Sequence, residues 1–191
     1  KVDNFPIFIE DVIEGEFIEF KIIKLKKNLG YGKVLNIIEV SDKRVEGVPK
    51  TSGANLVHMD YEEQLRFKTK KVQNIMNKTL GADSVEVLPT LGMKDGYHYR
   101  NKSVIPVQKV DNEVRMGYYK PRSHDVINIE KCFIQYDEHN KLMNDIRSLI
   151  IELDLSIYDE ESHKGAIRHI MFRTNSNKSE IMVGIIAKER F

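Results

Sequence analysis

Ser103-Val104-Ile105-Pro106-Val107, Val114-Arg115-Met116-Gly117-Tyr118-Tyr119 and Val126-Ile127-Asn128-Ile129 are short β-prone runs, parted by Asp111-Asn112 and by Pro121-Arg122-Ser123. β-Branched and aromatic residues at this density, bounded by turn formers, predict an antiparallel meander. Downstream, Leu142, Ile146, Leu149, Ile150 and Leu153 recur at helical spacing and predict an amphipathic helix. Ala166 to Arg173 and Glu180 to Ala187, joined by Thr174-Asn175-Ser176-Asn177, then read as a hairpin that stops shortly before Phe191.

Working towards the N-terminus, Pro89 and Gly92 break the chain before the meander. Asp60 is an N-cap candidate with Glu63 three residues on, and Leu65, Val72, Ile75, Met76 and Leu80 form an apolar stripe ending at Gly81. Between Ser41 and Asn55 periodicity gives way to Ser, Asp, Gly, Pro and Thr, which places a boundary near Glu46. Phe17 to Leu25 and Gly32 to Val40 read as a hairpin whose turn is Lys27-Asn28-Leu29-Gly30-Tyr31-Gly32. Around Tyr31 stand Lys24, Lys26, Lys27 and Lys33, the mixture of cations and an aromatic face that small β-barrels offer to single-stranded nucleic acid. The expected fold is α+β: a partial OB-like barrel over residues 1–46, then an antiparallel sheet with two amphipathic helices over 47–191.

Composition narrows the function classes. With 41% hydrophobic residues and 30 basic against 29 acidic side chains, the 191 residues do not read as a disordered tail. One cysteine cannot form an intramolecular disulfide, and no apolar run approaches the roughly 18 residues of a membrane span. A reducing cytoplasmic setting is expected. Lys1 to Pro6 has no signal-peptide pattern and reads as a chain entered midway.

The even charge total hides segregation. From His98 to His124 there are six basic residues and two acidic ones; from Asp125 to Glu161 ten acidic and three basic; from His163 onwards the chain is basic again. A phosphate backbone is attracted to the first and third segments and repelled by the second. Within the first, His98-Tyr99-Arg100-Asn101-Lys102 and Tyr118-Tyr119-Lys120-Pro121-Arg122-Ser123-His124 combine rings that stack on bases, a guanidinium that bridges phosphate oxygens and an amide that reads a base edge. Two such clusters on a meander could line one groove, whereas the alternative makes Tyr99 and Tyr118 core rings. Other chemistry finds little support. Gly30-Tyr31-Gly32 lacks the third glycine of a dinucleotide loop, His163 and His169 lack zinc spacing, and no acid and base pair is nominated by linear order.

Several stretches resemble the bacterial RNA (uracil-5-)-methyltransferases, in particular those that form 5-methyluridine in 23S ribosomal RNA. Phe8-Ile9 and Ile13-Glu14-Gly15-Glu16 stand where that family has the later part of its TRAM domain, a small RNA-binding β-barrel. His58 to Leu65, Gly92-Met93 with His98 to Lys102, Gly117-Tyr118-Tyr119 with Ser123-His124, Ile129 to Cys132, and Ile167-Arg168-His169 are similar to successive motifs of its central domain. The resemblance implies methyl transfer from S-adenosylmethionine to carbon 5 of a flipped-out uracil, after a cysteine thiolate attacks carbon 6 and with a glutamate accepting the proton. It places that cysteine, that glutamate and the S-adenosylmethionine-binding domain C-terminal to this sequence. No catalytic residue, metal or cofactor is therefore expected here, and the partners implied are ribosomal RNA and the catalytic domain. Cys132 matches the fourth ligand of an iron–sulfur cluster found in many members, but Thr51 and Ala54 replace two of the other cysteines, so no cluster is expected. The expected RNA contacts are Arg100, Asn101 and Lys102, with Tyr119, Lys120, Arg122 and His124 beside them and Lys24, Lys26, Lys27 and Tyr31 on the barrel. The competing expectation is a non-enzymatic RNA-binding adaptor.

Overall fold

The computed structural model describes every residue except 1, 3, 48–52, 83, 121–122 and 189–191. The chain forms two compact units, residues 1–50 with 55–92, and residues 51–54 with 93–191. The boundary expected near Glu46 thus falls inside the first unit.

In the first unit, β1 (Ile7–Ile9), β2 (Phe17–Lys26) and β3 (Leu29–Glu39) make a sheet of order β1-β3-β2, with β1 parallel and β2 antiparallel to β3. The predicted hairpin is present, but its turn is tighter than expected. Lys26 pairs with Leu29, so only Lys27-Asn28 intervene, and Gly30, Tyr31 and Gly32 lie inside β3. Close approach explains the glycines: a Cβ at position 32 would stand 2.8 Å from the Phe20 ring and 3.1 Å from Ile9 Cγ1. Among the described residues this sheet is open. A barrel requires first and last strands to pair, and here β1 and β2 both pair with β3.

Helix α1 (Tyr61–Leu80) begins as its sequence dictates. The Asp60 carboxylate accepts from the Glu63 N–H at 2.7 Å, and Gly81 ends the helix with φ of 98°. It joins the first unit because Arg44 bridges to Met59, the Asp60 N–H donates to the Lys43 carbonyl, and Lys70 pairs with Glu14. The apolar stripe is only half covered: Gln73 bonds the Val85 carbonyl and the Val87 N–H, and Thr69 bonds Thr90, yet Ile75 and Leu80 remain exposed.

The second unit is a five-stranded sheet of order β6-β5-β4-β7-β8, built from β4 (Lys102–Val110), β5 (Glu113–Tyr119), β6 (Val126–Asn128), β7 (Ile167–Thr174) and β8 (Ile181–Ala187). All its pairings are antiparallel, and the meander and the closing hairpin both stand where the sequence places them. Asp111 and Asn112 take φ of 50° and 65°, the backbone of a two-residue hairpin turn. Strand alternation sends Ile105, Val107, Met116, Tyr118, Ile170 and Phe172 to one face, against α2 (Asp137–Glu152) and its Met143 and Ile150.

Helix α2 keeps Leu142, Ile146 and Ile150 of its predicted stripe against the core but departs from it at its C-terminal end and first turn. Leu149 and Leu153 are 49% and 61% exposed, while His139 and Asn140 are buried. The first turn of α2 meets polar groups: His139 Nε2 lies 2.6 Å from Thr174 Oγ1, and Asn140 Oδ1 accepts from the Cys132 N–H at 2.8 Å and from Gln135 Nε2 at 2.6 Å. No helix among the described residues is long and apolar enough to cross a membrane.

Candidate nucleic-acid interface

In the first unit, Tyr31 projects from β3 between the ring of Phe8, 5.9 Å away between centroids, and the Lys26 ammonium, 5.8 Å from its own centroid. Lys24 is its cross-strand partner, and Lys24, Lys26, Lys27 and Phe8 are exposed. Four of the expected residues therefore do share one end of this sheet. Phe8 completes a ring pair that sequence reading did not assign to the surface.

In the second unit the two expected clusters separate. Tyr118 is a core ring whose hydroxyl donates to Cys132 Sγ at 3.6 Å. Burial, together with the facing sulfur, pushes the pKa of that hydroxyl up. The Arg100 guanidinium turns to this side, standing beside the Tyr118 hydroxyl and donating to the Gly53 carbonyl at 3.2 Å. Asn101 is exposed, with its carbonyl accepting from the Thr174 N–H, and Lys102 is exposed at the start of β4 opposite Arg173. Tyr99 is 48% exposed and is not a core ring.

Tyr119 follows Tyr118 in β5, so it points to the opposite face. There its hydroxyl lies 3.4 Å from His169 Nε2 and its ring meets that of His124 edge-on at 5.8 Å. Lys120 is exposed and faces Asp125 at 3.4 Å; Arg122 lies outside the described residues. Tyr119 and His124 line a cavity of about 360 Å³ with Val107, Gln108, Lys109, Tyr158, Glu160, Glu161, Arg168 and His169 among its walls. Arg100, Asn101 and Lys102 are not among its lining residues. Arg100 thus turns towards the core side, whereas Lys102, alternating with the buried Ser103 and Ile105, shares the sheet face of Tyr119 without lining this cavity.

The cavity's electrostatics follow from burial and one ion pair. Burial raises the Tyr119 hydroxyl's pKa, helped by Glu160 and opposed by Arg168. Burial, then the Arg168 charge, lowers that of His169, which is accordingly neutral at pH 7. Arg168 is itself held by Glu160 at 2.8 Å and lies over the Tyr158 ring, 4.6 Å from its centroid. Tyr158, Glu160 and Arg168 were not assigned to a site by sequence reading. The only signal was the Ile167-Arg168-His169 motif.

The iron–sulfur group implied by the resemblance does not fit the residues present. Cys132 is buried with its sulfur engaged by Tyr118, Ala54 packs on the same core, and Thr51 lies outside the described residues. Among the described residues no three His, Cys, Asp or Glu side chains converge as metal ligands.

No family model matches the chain. It is 43% identical, over 100% of its length, to an uncharacterized RNA methyltransferase of Clostridium tetani, and 43% identical over 96% of its length to one of Staphylococcus aureus. One from Halalkalibacterium halodurans is 39% identical over 98% of the chain. The chain spans 42% of the length of each of these relatives. Its fold is similar to that of Pyrococcus abyssi tRNA (uracil-54, C5)-methyltransferase, solved with S-adenosyl-L-homocysteine, at a TM-score of 0.70 and 21% identity over 97% of this chain and 42% of that one. Over its whole length, then, the chain is homologous to a segment of proteins named RNA methyltransferase, and its fold is similar to that of the matching segment of a uracil-C5 methyltransferase.

Proposed function

We propose that this chain is the RNA-recognition portion of an S-adenosylmethionine-dependent uracil-5-methyltransferase acting on 23S ribosomal RNA, with a TRAM-like first segment and a central recognition domain. The observation that carries this reading is the match of the entire chain to two fifths of proteins named RNA methyltransferase. Two surfaces support a role in binding RNA. The Phe8 and Tyr31 rings with Lys24, Lys26 and Lys27 offer a stacking platform edged by cations. Lys102 and Arg173, paired across β4 and β7 and both exposed, offer charge to a phosphate backbone.

Methyl transfer itself belongs to the remainder of the relatives' length. The single thiol described here is sealed in a core, and Gly30-Tyr31-Gly32 sits inside a strand, where it cannot cradle a nucleotide. Filter binding of a uridine-containing 23S stem-loop tests the proposal. Affinity should fall steeply with salt, and Lys26→Ala and Lys102→Ala should each lower the magnitude of the log–log salt slope by about one. Binding that is indifferent to salt would remove RNA as the partner.

A further inference from the structure

The cavity at the Tyr119 end of the second unit has walls and a rim of different chemistry. Its walls are rings: Tyr119, His124, Tyr158 and His169. Much of the rim is already engaged. Glu160 holds Arg168, Asp159 accepts from Ser162, Asp125 faces Lys120, and Gln108 Oε1 accepts from the Val126 N–H at 3.0 Å. What is left are the Glu161 carboxylate and the Gln108 amide N–H₂, neither bonded to a described residue.

Size and charge narrow the ligand. About 360 Å³ lies at the small end of ligand pockets, room for one base but not for a helix or a duplex. Asp125, Asp159, Glu160 and Glu161 outweigh Lys109 and Arg168 among the lining residues, so a phosphate is repelled. A flat, neutral ring with donors on one side and an acceptor on the other is not. We infer that this cavity receives one unstacked guanine of the RNA, held between the rings, with its N1–H and 2-amino group donating to Glu161 and its O6 accepting from the Gln108 amide. Uracil presents two carbonyls around a lone N–H and meets a carboxylate rim poorly. The inference rests on the RNA-binding reading and adds a base-specific subsite to it.

Fluorescence anisotropy on the full chain, with labelled U₉ and with U₉ carrying one central guanine, adenine or cytosine, tests it. The guanine oligomer should bind about tenfold tighter than U₉, as one well-formed bidentate base contact provides. Glu161→Gln, a change on an exposed loop, should bring that ratio close to one, and Tyr119→Leu should do the same in a variant whose melting curve shows it folded. Asp145→Asn, on the exposed side of α2, should keep the ratio. Equal affinity for all four oligomers, or a guanine preference that survives Glu161→Gln, overturns the subsite while leaving RNA binding in place. Failure to bind any oligomer, with no dependence on salt, overturns the RNA-binding reading as well. An oligolysine peptide that binds through Glu161, without any base preference, reassigns the cavity to a protein partner.

Discussion

Glu16 is held by the Arg44 guanidinium through two bonds of 2.6 and 2.7 Å and by the Ile13 N–H at 2.8 Å, with its side chain fully out of solvent. Burial alone would raise its pKa, but the Arg44 bonds and the Ile13 and Ser41 N–H groups outweigh it and leave the pKa below the ordinary 4.5. Removing one partner strands a charge in a dry site, so Arg44→Ala should cost about 3–5 kcal/mol in urea denaturation followed on the first unit. Arg100 shows the other side of the same physics. It belonged to the most chemically suggestive cluster in the sequence, yet its guanidinium braces the Gly53 carbonyl and the Tyr118 hydroxyl. Arg100→Ala should therefore lower the thermal midpoint of the second unit, an effect that Lys102→Ala, at an exposed side chain, should not have. Residue type tells what Arg100 could bind; its neighbours add that the half-buried guanidinium also braces the second unit.

At the scale of elements, local chemistry was legible wherever a local rule was sufficient. The Asp60 cap, the Gly81 stop, the Asp111-Asn112 turn and every strand of the meander could be read in order, because each depends on residues within a few positions of one another. Asp60→Ala should cost about 1 kcal/mol of stability, the usual loss for an N-cap. Gly30 and Gly32 were misplaced into a turn because glycine marks two situations, a turn and a close approach, and the approach of Phe20 and Ile9 is not local. Gly32→Ala should destabilise the first sheet by about 1–3 kcal/mol through overpacking against Phe20, read as faster amide exchange along β3. Helix α2 was correctly located and Leu142, Ile146 and Ile150 of its stripe do face the core, but Leu149 and Leu153 do not. Its first turn buries His139 and Asn140 against partners from Thr174, Cys132 and Gln135, which helical periodicity cannot foresee.

Across the whole molecule, pH separates the two units. His139 is buried against Phe172, and burial lowers its pKa from 6.5 despite the opposing charge of Glu138. The unfolded chain then binds the proton more readily than the folded one, so the second unit should lose stability as pH falls below about 6.5. The first unit should hold until Glu16 begins to gain a proton below its ordinary 4.5. Hydrogen exchange of β7 and β3 amides between pH 7 and pH 4 would resolve the two steps, and His139→Gln should shrink the first, leaving the share that His169, also lowered by burial, contributes. The sequence by itself determined the elements, their order and the family resemblance, since caps, turns, alternation and motifs are properties of neighbouring residues. Tertiary structure alone decided that Tyr118 enters the core while Tyr119 joins His124 and His169 around a cavity, and that Arg100 and Tyr119 serve different faces. The reason is that alternation fixes only that adjacent side chains oppose each other; which face is buried depends on where α2 packs, and that is settled by residues far apart in the chain.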